Sequence, residues 1–594
     1  MDFARKLKPF RTQSESFTVL RDEGCYYVDK TGFIRYLIEK GDKICVVTRP
    51  HRFGKTLMLR TLETFFEYRL DDDGKPVDNR RYFEGLKVME AGDNVLAEMG
   101  QYPVISVSFK DVWADAYDKV LGQMRGAVCT AIEPYTSMLK NSGVLSEGQL
   151  GTLQRYLDRI ADETELTQFL QIVTAWLYRA TKRRSVILLD EYDVPLQKAA
   201  IHDMHDPNNH LFDQTVNLVG RFISCGFKSN NYLAYGIIAG CMRVAKESIF
   251  TGMNNPGVIT VLDRIPDEYW GFTQPEVEKM LAYYGLSDKM DALKNWYEGY
   301  YYSDREVYNP WSLLNAIRGL VNGYGKDAIQ SYWVRTSGND IIDDMIQRNP
   351  DHRNKLAQIM NGEPLWAPVF QDLSYRDVQT HPDAIWSFLL YTGYLKAIEK
   401  RQLETGNWEA RVTIPNMEIR SVMNQAMEHW WKDIKLAHYD VRPLMQALWK
   451  GDVPAIEREM NGIMNDSISV KDAKEDFYHG MLVGVLRTQS EVKSNRESGE
   501  GYPDIVAIDG NHAAILELKC LLSSALDKIP LKERYVRAPE LMEKLLDEAE
   551  EQIRTRYYIE GLRFEKPLVT DIKSYAVCFC RKRCMVREVH IEQT

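Results

Sequence analysis

Short apolar runs rich in β-branched residues recur through the first half of the chain, at Ile44–Thr48, Val104–Phe109, Val186–Leu189, Ala234–Ala239 and Val258–Leu262. Helix-length amphipathic stretches such as Leu57–Tyr68 and Leu166–Tyr178 lie between them. A strand with apolar side chains on both sides must be covered on both faces, and alternation with helices supplies that cover. The pattern predicts an α/β fold built on a doubly wound parallel sheet from about residue 20, in a first domain of residues 1–265.

After Asp263 the pattern turns helical and aromatic. Thr273-Gln274-Pro275-Glu276 has the spacing of a capping box, with Thr273 at the N-cap and Glu276 reaching back, and it opens a helical lid and middle region over residues 266–465. From Lys471 the order changes again. A helix over Lys471–Leu486, strands near Glu491–Asn495, Asp504–Ile508 and Ala513–Leu518, a charged helix over Pro539–Tyr558 and a last strand at Tyr575–Cys580 predict a separate α/β unit, residues 466–594.

Composition changes this picture little: 594 residues, 44% hydrophobic and 27% charged, suit a globular chain of several domains. No run of about 18 or more apolar residues occurs and Met1–Lys6 has no apolar leader, so a cytoplasmic protein without membrane contact is expected. Nine scattered cysteines with no CxxC pair fit a reducing compartment. Cys578 and Cys580 share parity on a strand and, with Cys584, read as a buried face rather than a zinc site. The net charge is −10, and residues 475–594 carry 18 Lys and Arg against 21 Asp and Glu, so any DNA or RNA contact must come from a local patch.

The first candidate chemistry is Arg49-Pro50-His51-Arg52-Phe53-Gly54-Lys55-Thr56, between the strand Ile44–Thr48 and the helix that follows. A phosphate-binding loop needs this context, because its backbone N–H groups and the helix N-terminus together favour an anion. Gly54 belongs to the loop, Lys55 is expected to bridge the β- and γ-phosphates of ATP, and Thr56 to ligate Mg²⁺. Arg49 stands where the common pattern has Gly, which adds Arg49 and Arg52 as cations near the phosphates. The strand Ser185–Leu189 then ends in Asp190-Glu191. Asp190 is placed to hold Mg²⁺ through water and Glu191 to polarise the attacking water. Arg243, just beyond the strand Ala234–Ala239, is a candidate for stabilising γ-phosphate charge, or else a surface salt-bridge residue.

These stretches, with Tyr27-Val28-Asp29-Lys30-Thr31, Trp296-Tyr297-Glu298-Gly299-Tyr300, Phe477-Tyr478-His479-Gly480 and Ser494-Asn495-Arg496-Glu497-Ser498-Gly499, resemble the bacterial AAA-ATPase-like family that carries a C-terminal PD-(D/E)xK nuclease superfamily domain. The resemblance implies a P-loop ATPase sheet, a restriction-endonuclease-like C-terminal domain and a nucleotide-proximal position for Asp29-Lys30-Thr31. The family typically has Arg where this chain has His51, so one loop cation is missing.

A Mg²⁺-dependent phosphodiesterase of that kind needs two carboxylates and a lysine, which Asp504, Glu517 and Lys519 supply. Glu517 and Lys519 share a strand face. With Gly510-Asn511 as a two-residue turn, Asp504 falls opposite Glu517, whereas an Asp509-Gly510 turn sets it opposite Ile515. Glu475 on the preceding helix is a further candidate metal ligand, and Gln552 a candidate polar site residue, though each also fits a solvated helix face. The expected function is an ATP-binding, ATP-hydrolysing protein coupled to a metal-dependent nuclease. The alternative is an ATP-switched signalling or scaffold protein whose nuclease-like domain only binds. Oligomeric state stays open.

Overall fold

The computed structural model describes residues 7–591 apart from 13, 72–73, 207–208, 243–255, 262, 264–266, 303–304, 334–349, 361, 371–372, 425–439, 468–474, 488, 495–502, 523–524, 527–528 and 557. Arg243 and the stretch Asn495–Gly499 therefore lie outside the described residues. The chain divides into two compact units, Met1–Ile342 with Trp366–Ile419, and Asp343–Leu365 with Arg420–Thr594.

In the first unit the apolar runs become β1 (Ile44–Thr48), β2 (Val104–Ser108), β3 (Ser185–Asp190), β4 (Leu233–Gly240) and β5 (Gly257–Ile259). They form one parallel sheet in the order β2-β3-β4-β1-β5. Every residue of β1 and β3 is buried, the consequence of helices on both faces. The helix Lys55–Phe66 packs Leu62, Phe65 and Phe66 into one core with Phe33 and Val47. Glu163–Thr181, on the same unit, opens with a full capping box from Asp162 and Glu165. Because β1, β3 and β4 are neighbours and run in one direction, their carboxyl ends converge where open α/β sheets bind ligands.

The region that follows holds more than helices. The Thr273–Glu276 box does open a helix, Gln274–Tyr284. Around it β6 (Phe272–Thr273), β7 (Tyr300–Tyr302) and β8 (Arg305–Tyr308) form a three-stranded sheet, and β9 (Leu365–Val369), β10 (Lys396–Gln402) and β11 (Trp408–Thr413) form another. Aromatic residues such as Tyr300–Tyr302 hid these short strands, because aromatic side chains also suit an apolar helix face.

The second unit carries a mixed sheet of β12 (Glu491–Ser494), β13 (Ile505–Asp509), β14 (His512–Cys520), β15 (Asp571–Cys580) and β16 (Arg583–Glu588), in that order. The helix Leu531–Thr555 covers one face through Met542, Leu546, Ala549 and Ile553. It begins at Leu531, well before the expected start at Pro539, and carries that proline inside it, where the ring removes one backbone donor and crowds the carbonyl four residues back. Cys578 and Cys580 both point into that core. Among the described residues no helix is long and apolar enough to cross a membrane.

Candidate functional site

The loop after β1 turns into its helix through Gly54, whose φ of 80° is left-handed and suits a residue without a Cβ. Lys55 follows and is buried, its Nζ donating to Arg49 O at 2.8 Å and Pro50 O at 3.0 Å. The lysine thus spends its donors on the loop's own carbonyls. Thr56 Oγ1 donates to Asp190 Oδ2 at 2.6 Å, which joins the two halves predicted from separate strands. Burial raises the Asp190 carboxyl, and the Thr56 bond and Lys55 charge act against that rise. Glu191 is pushed up to about 7, by burial first and by the Asp190 charge second. A carboxyl near 7 is matched to taking a proton at neutral pH.

Arg49 and Arg52, expected as cations near the phosphates, each make contacts within the fold. Arg49 is 1% exposed, and its Nη1 donates to Thr48 O at 2.9 Å and Ile259 O at 3.3 Å, holding the ends of β1 and β5. Arg52 donates to Tyr332 O and lies 5.0 Å above the Trp311 ring. The physical reason is shared: each guanidinium finds fixed backbone carbonyls closer than solvent. His51 is pushed down to about 3, by burial first and then by Lys55 and Arg52, so it adds no charge at neutral pH.

Asp29 and Thr31 form a local knot: Asp29 accepts from Thr31 N at 2.9 Å and Lys87 N at 2.6 Å, and Thr31 Oγ1 accepts from Val88 N. Lys30 pairs with Glu276 at 2.5 Å. Their contacts are with the protein fold.

Three contributors had no role assigned from the sequence. Asp193, 2% exposed, accepts from Cys241 N at 2.8 Å and Met242 N at 3.0 Å through one oxygen, tying the end of β4 to the Asp190-Glu191 loop. Tyr375, buried, faces Asp193. Glu418, fully buried, accepts from Tyr332 N at 2.7 Å and Trp333 N at 3.0 Å on the same segment that receives Arg52. Asp193 was legible as a third acid after Asp190-Glu191. The other two are remote in sequence and carry no local signal.

In the second unit the Gly510-Asn511 turn holds, with Asp509 opposite His512 and Ile505 opposite Leu516. One step further sets Asp504 beside Glu517, and Asp504 Oδ2 accepts from Leu518 N at 2.7 Å. Glu517 is 5% exposed and is pushed up to about 8, by burial first, then by Asp504, with Glu475 adding to the rise and Lys519 opposing it. Lys519 Nζ stands 4.0 Å from Glu517 Oε1. Glu475 lies in the first turn of the helix Glu475–Leu486, whose His479 Nε2 is 2.9 Å from Asp504 O. The Tyr558 hydroxyl lies against the Glu517 carboxyl, which helps raise the tyrosine well above its ordinary range, after burial. Glu517 Oε2 and Gln552 Oε1 are buried acceptors with no hydrogen bond.

These residues fit a divalent cation. Among the described residues no group of three His, Cys, Asp or Glu side chains forms a ready cage. Mg²⁺ does not need one, because it keeps several waters and commonly takes one or two carboxylates. The orphaned Glu517 Oε2 at the second site and Asp190 Oδ1 beside Thr56 are the acceptors such an ion would satisfy.

Comparison with known proteins agrees with both halves. Residues 12–250 match the family described as predicted AAA-ATPase, and residues 473–589 match the PD-(D/E)XK nuclease superfamily. An uncharacterized protein from the vnfD 5′ region of Azotobacter chroococcum mcd 1 is 25% identical over 431 residues, which is 71% of this chain and 70% of its own. A Walker-type ATPase of Pyrococcus abyssi aligns over 67% of this chain and 96% of that one, with a TM-score of 0.35 and 9% identity. The chain therefore joins an AAA-ATPase-like domain at residues 12–250 to a PD-(D/E)XK nuclease superfamily domain at residues 473–589.

Proposed function

We propose that this chain hydrolyses ATP at the converging ends of β1, β3 and β4, and cleaves DNA or RNA at the Asp504, Glu517 and Lys519 site. The observation that carries the first half is the Thr56 to Asp190 hydrogen bond with Glu191 next in the chain. Phosphate oxygens would take the place of the Arg49 and Pro50 carbonyls on Lys55 Nζ, with Gly54 opening the helix N-terminus toward them. Glu191 accepts a proton from the attacking water, and Arg243 is assigned to the developing γ-phosphate charge. In the second unit Lys519 offsets charge at the attacked phosphate and orients water, while Asp504, Glu517 and Glu475 supply ligand oxygens. Bound magnesium supplies charge neutralisation at both sites and lowers the pKa of coordinated water. All nine cysteines are free, which supports a reducing, cytoplasmic setting.

The test is purified protein with Mg²⁺ or Mn²⁺, with and without ATP, on a panel of single- and double-stranded DNA and RNA. Metal-dependent cleavage that Asp504→Ala removes supports the reading. ATP turnover without cleavage of any substrate moves it to a nucleotide-switched scaffold, which the net charge of −10 also favours.

A further inference from the structure

Asp193 is an acid buried in a place where burial costs most and where neither phosphate nor metal chemistry has been assigned to it. One of its oxygens receives two successive backbone N–H groups, from Cys241 and Met242 at the end of β4. The approach is close: a Cβ on Gly240 would stand 2.7 Å from the other oxygen and 2.5 Å from the Tyr192 ring. Tyr192 adds two bonds of its own across the same seam, from its N–H to Ala239 O at 3.3 Å and from its hydroxyl to Met242 O. Lys55 reaches this seam too, with Nζ 3.5 Å from Cys241 Sγ.

On the other side of Asp193 the chain runs back through Tyr192 to Glu191, a non-glycine residue held at a left-handed φ of 51°. Such a backbone persists only where its surroundings over-determine it. The surroundings here are the bonds to β4, together with Val194 N to Glu191 O at 3.1 Å.

We infer that Asp193 is a positioning residue for ATP hydrolysis: by clamping the Cys241–Met242 backbone it fixes the loop that aims the Glu191 carboxylate at the attacking water. The inference rests on the hydrolytic reading given above. The clamp needs an acceptor oxygen at that point, whereas a metal-binding or proton-accepting role needs the charge. Asparagine keeps the acceptor, and its amide can face the Tyr375 hydroxyl.

The experiment compares kcat, KM and ATP affinity for the full chain, Asp193→Ala and Asp193→Asn, with far-ultraviolet circular dichroism on each. Asp193→Ala should lower kcat about 10- to 100-fold, the scale of a misplaced reacting group, with ATP affinity unchanged. Asp193→Asn should restore most of the rate. Wild-type kcat in Asp193→Ala overturns the inference. So does a folded Asp193→Asn as slow as Asp193→Ala, because charge rather than position would then be the need. Should Asp193→Ala fail to fold, Asp193→Asn decides alone: near-wild-type kcat supports positioning and a tenfold or greater loss contradicts it. A wild type that binds ATP without releasing phosphate overturns the inference together with the hydrolytic reading, an outcome distinct from a loss confined to the variants.

Discussion

At the carboxyl end of β3, Asp190 is buried yet hydrogen-bonded by Thr56, with the Lys55 charge close by. At β14, Glu517 is buried with Asp504 and Glu475 pressing like charge on it, and one of its oxygens has no partner. The first site meets part of its demand from its own protein groups, and Asp190 Oδ1 is left without a hydrogen bond beside Thr56. Its lysine and threonine donate to the loop carbonyls and to Asp190, which fixes the shape of the loop. The second has a surplus of acid over cation, and Lys519 at 4.0 Å only partly balances it. An acid surplus of that kind is relieved by a proton or by a metal, and it is the less stable arrangement without either. The difference is one of degree: hydrogen bonds within the protein dominate at the first site, and unbalanced acid dominates at the second.

Removing an acid from the second site should have the largest effect. Asp504→Ala is expected to lower metal-dependent cleavage by a factor on the order of 10³ or more, since a metal contributes several kcal/mol to charge stabilisation. ATP hydrolysis by the same variant should be unchanged, and gel-based cleavage beside a phosphate-release assay reads both. A parallel loss of both activities would contradict the separation of the two sites. At the nucleotide site, Lys55→Ala should weaken ATP binding by roughly 10²-fold, the scale for truncating one partner of a buried charge pair. Isothermal titration measures it, and affinity within a few-fold of wild type would show that the loop binds phosphate by its backbone alone.

A buried carboxylate behind the loop that carries Arg52 isolates the electrostatic half of the difference. Glu418 is pushed up from 4.5 to about 7, by burial first, while bonds from Tyr332 N and Trp333 N and the Arg52 charge resist. Its raised value means that the folded chain keeps a proton the unfolded chain has lost. The stability this confers is complete below about 4.5 and is lost as pH rises through about 7. Glu418→Gln should therefore gain on wild type by about 1–3 kcal/mol between those limits. Urea unfolding followed by tryptophan fluorescence at both ends of the window tests it, and a wild-type-to-variant difference independent of pH refutes it. The smallest effect is expected from Tyr558→Phe, which removes the hydroxyl beside Glu517 and should cost about tenfold in apparent metal affinity for cleavage. A metal titration of the cleavage rate decides, with no shift as the contrary result.

The two sites were also unequally legible in the sequence. All five strands of the parallel sheet were readable as apolar runs, most plainly β1 and β3, where burial on both faces leaves every residue covered. The Arg49–Thr56 loop and Asp190-Glu191 are each contiguous in sequence, and the Thr56 to Asp190 hydrogen bond joins them. Asp504 and Glu517 needed a correct hairpin register, which the Gly510-Asn511 turn sets. Arg49 reads in the sequence as a cation near phosphate, and its Nη1 is held by strand-end carbonyls that only the sheet brings near. Tyr375, Glu418 and Tyr558 contribute through tertiary proximity alone, for which a single sequence holds no periodic or local sign.

The proposed hydrolysis at the first site turns on Glu191 activating water beside the Thr56 to Asp190 contact. The decisive comparison is phosphate release from ATP by wild type and by Glu191→Gln, at matched ATP occupancy. Steady turnover is expected from the wild type, with a loss of about 10²- to 10⁴-fold in Glu191→Gln and ATP affinity retained. Equal turnover by the two proteins would contradict it.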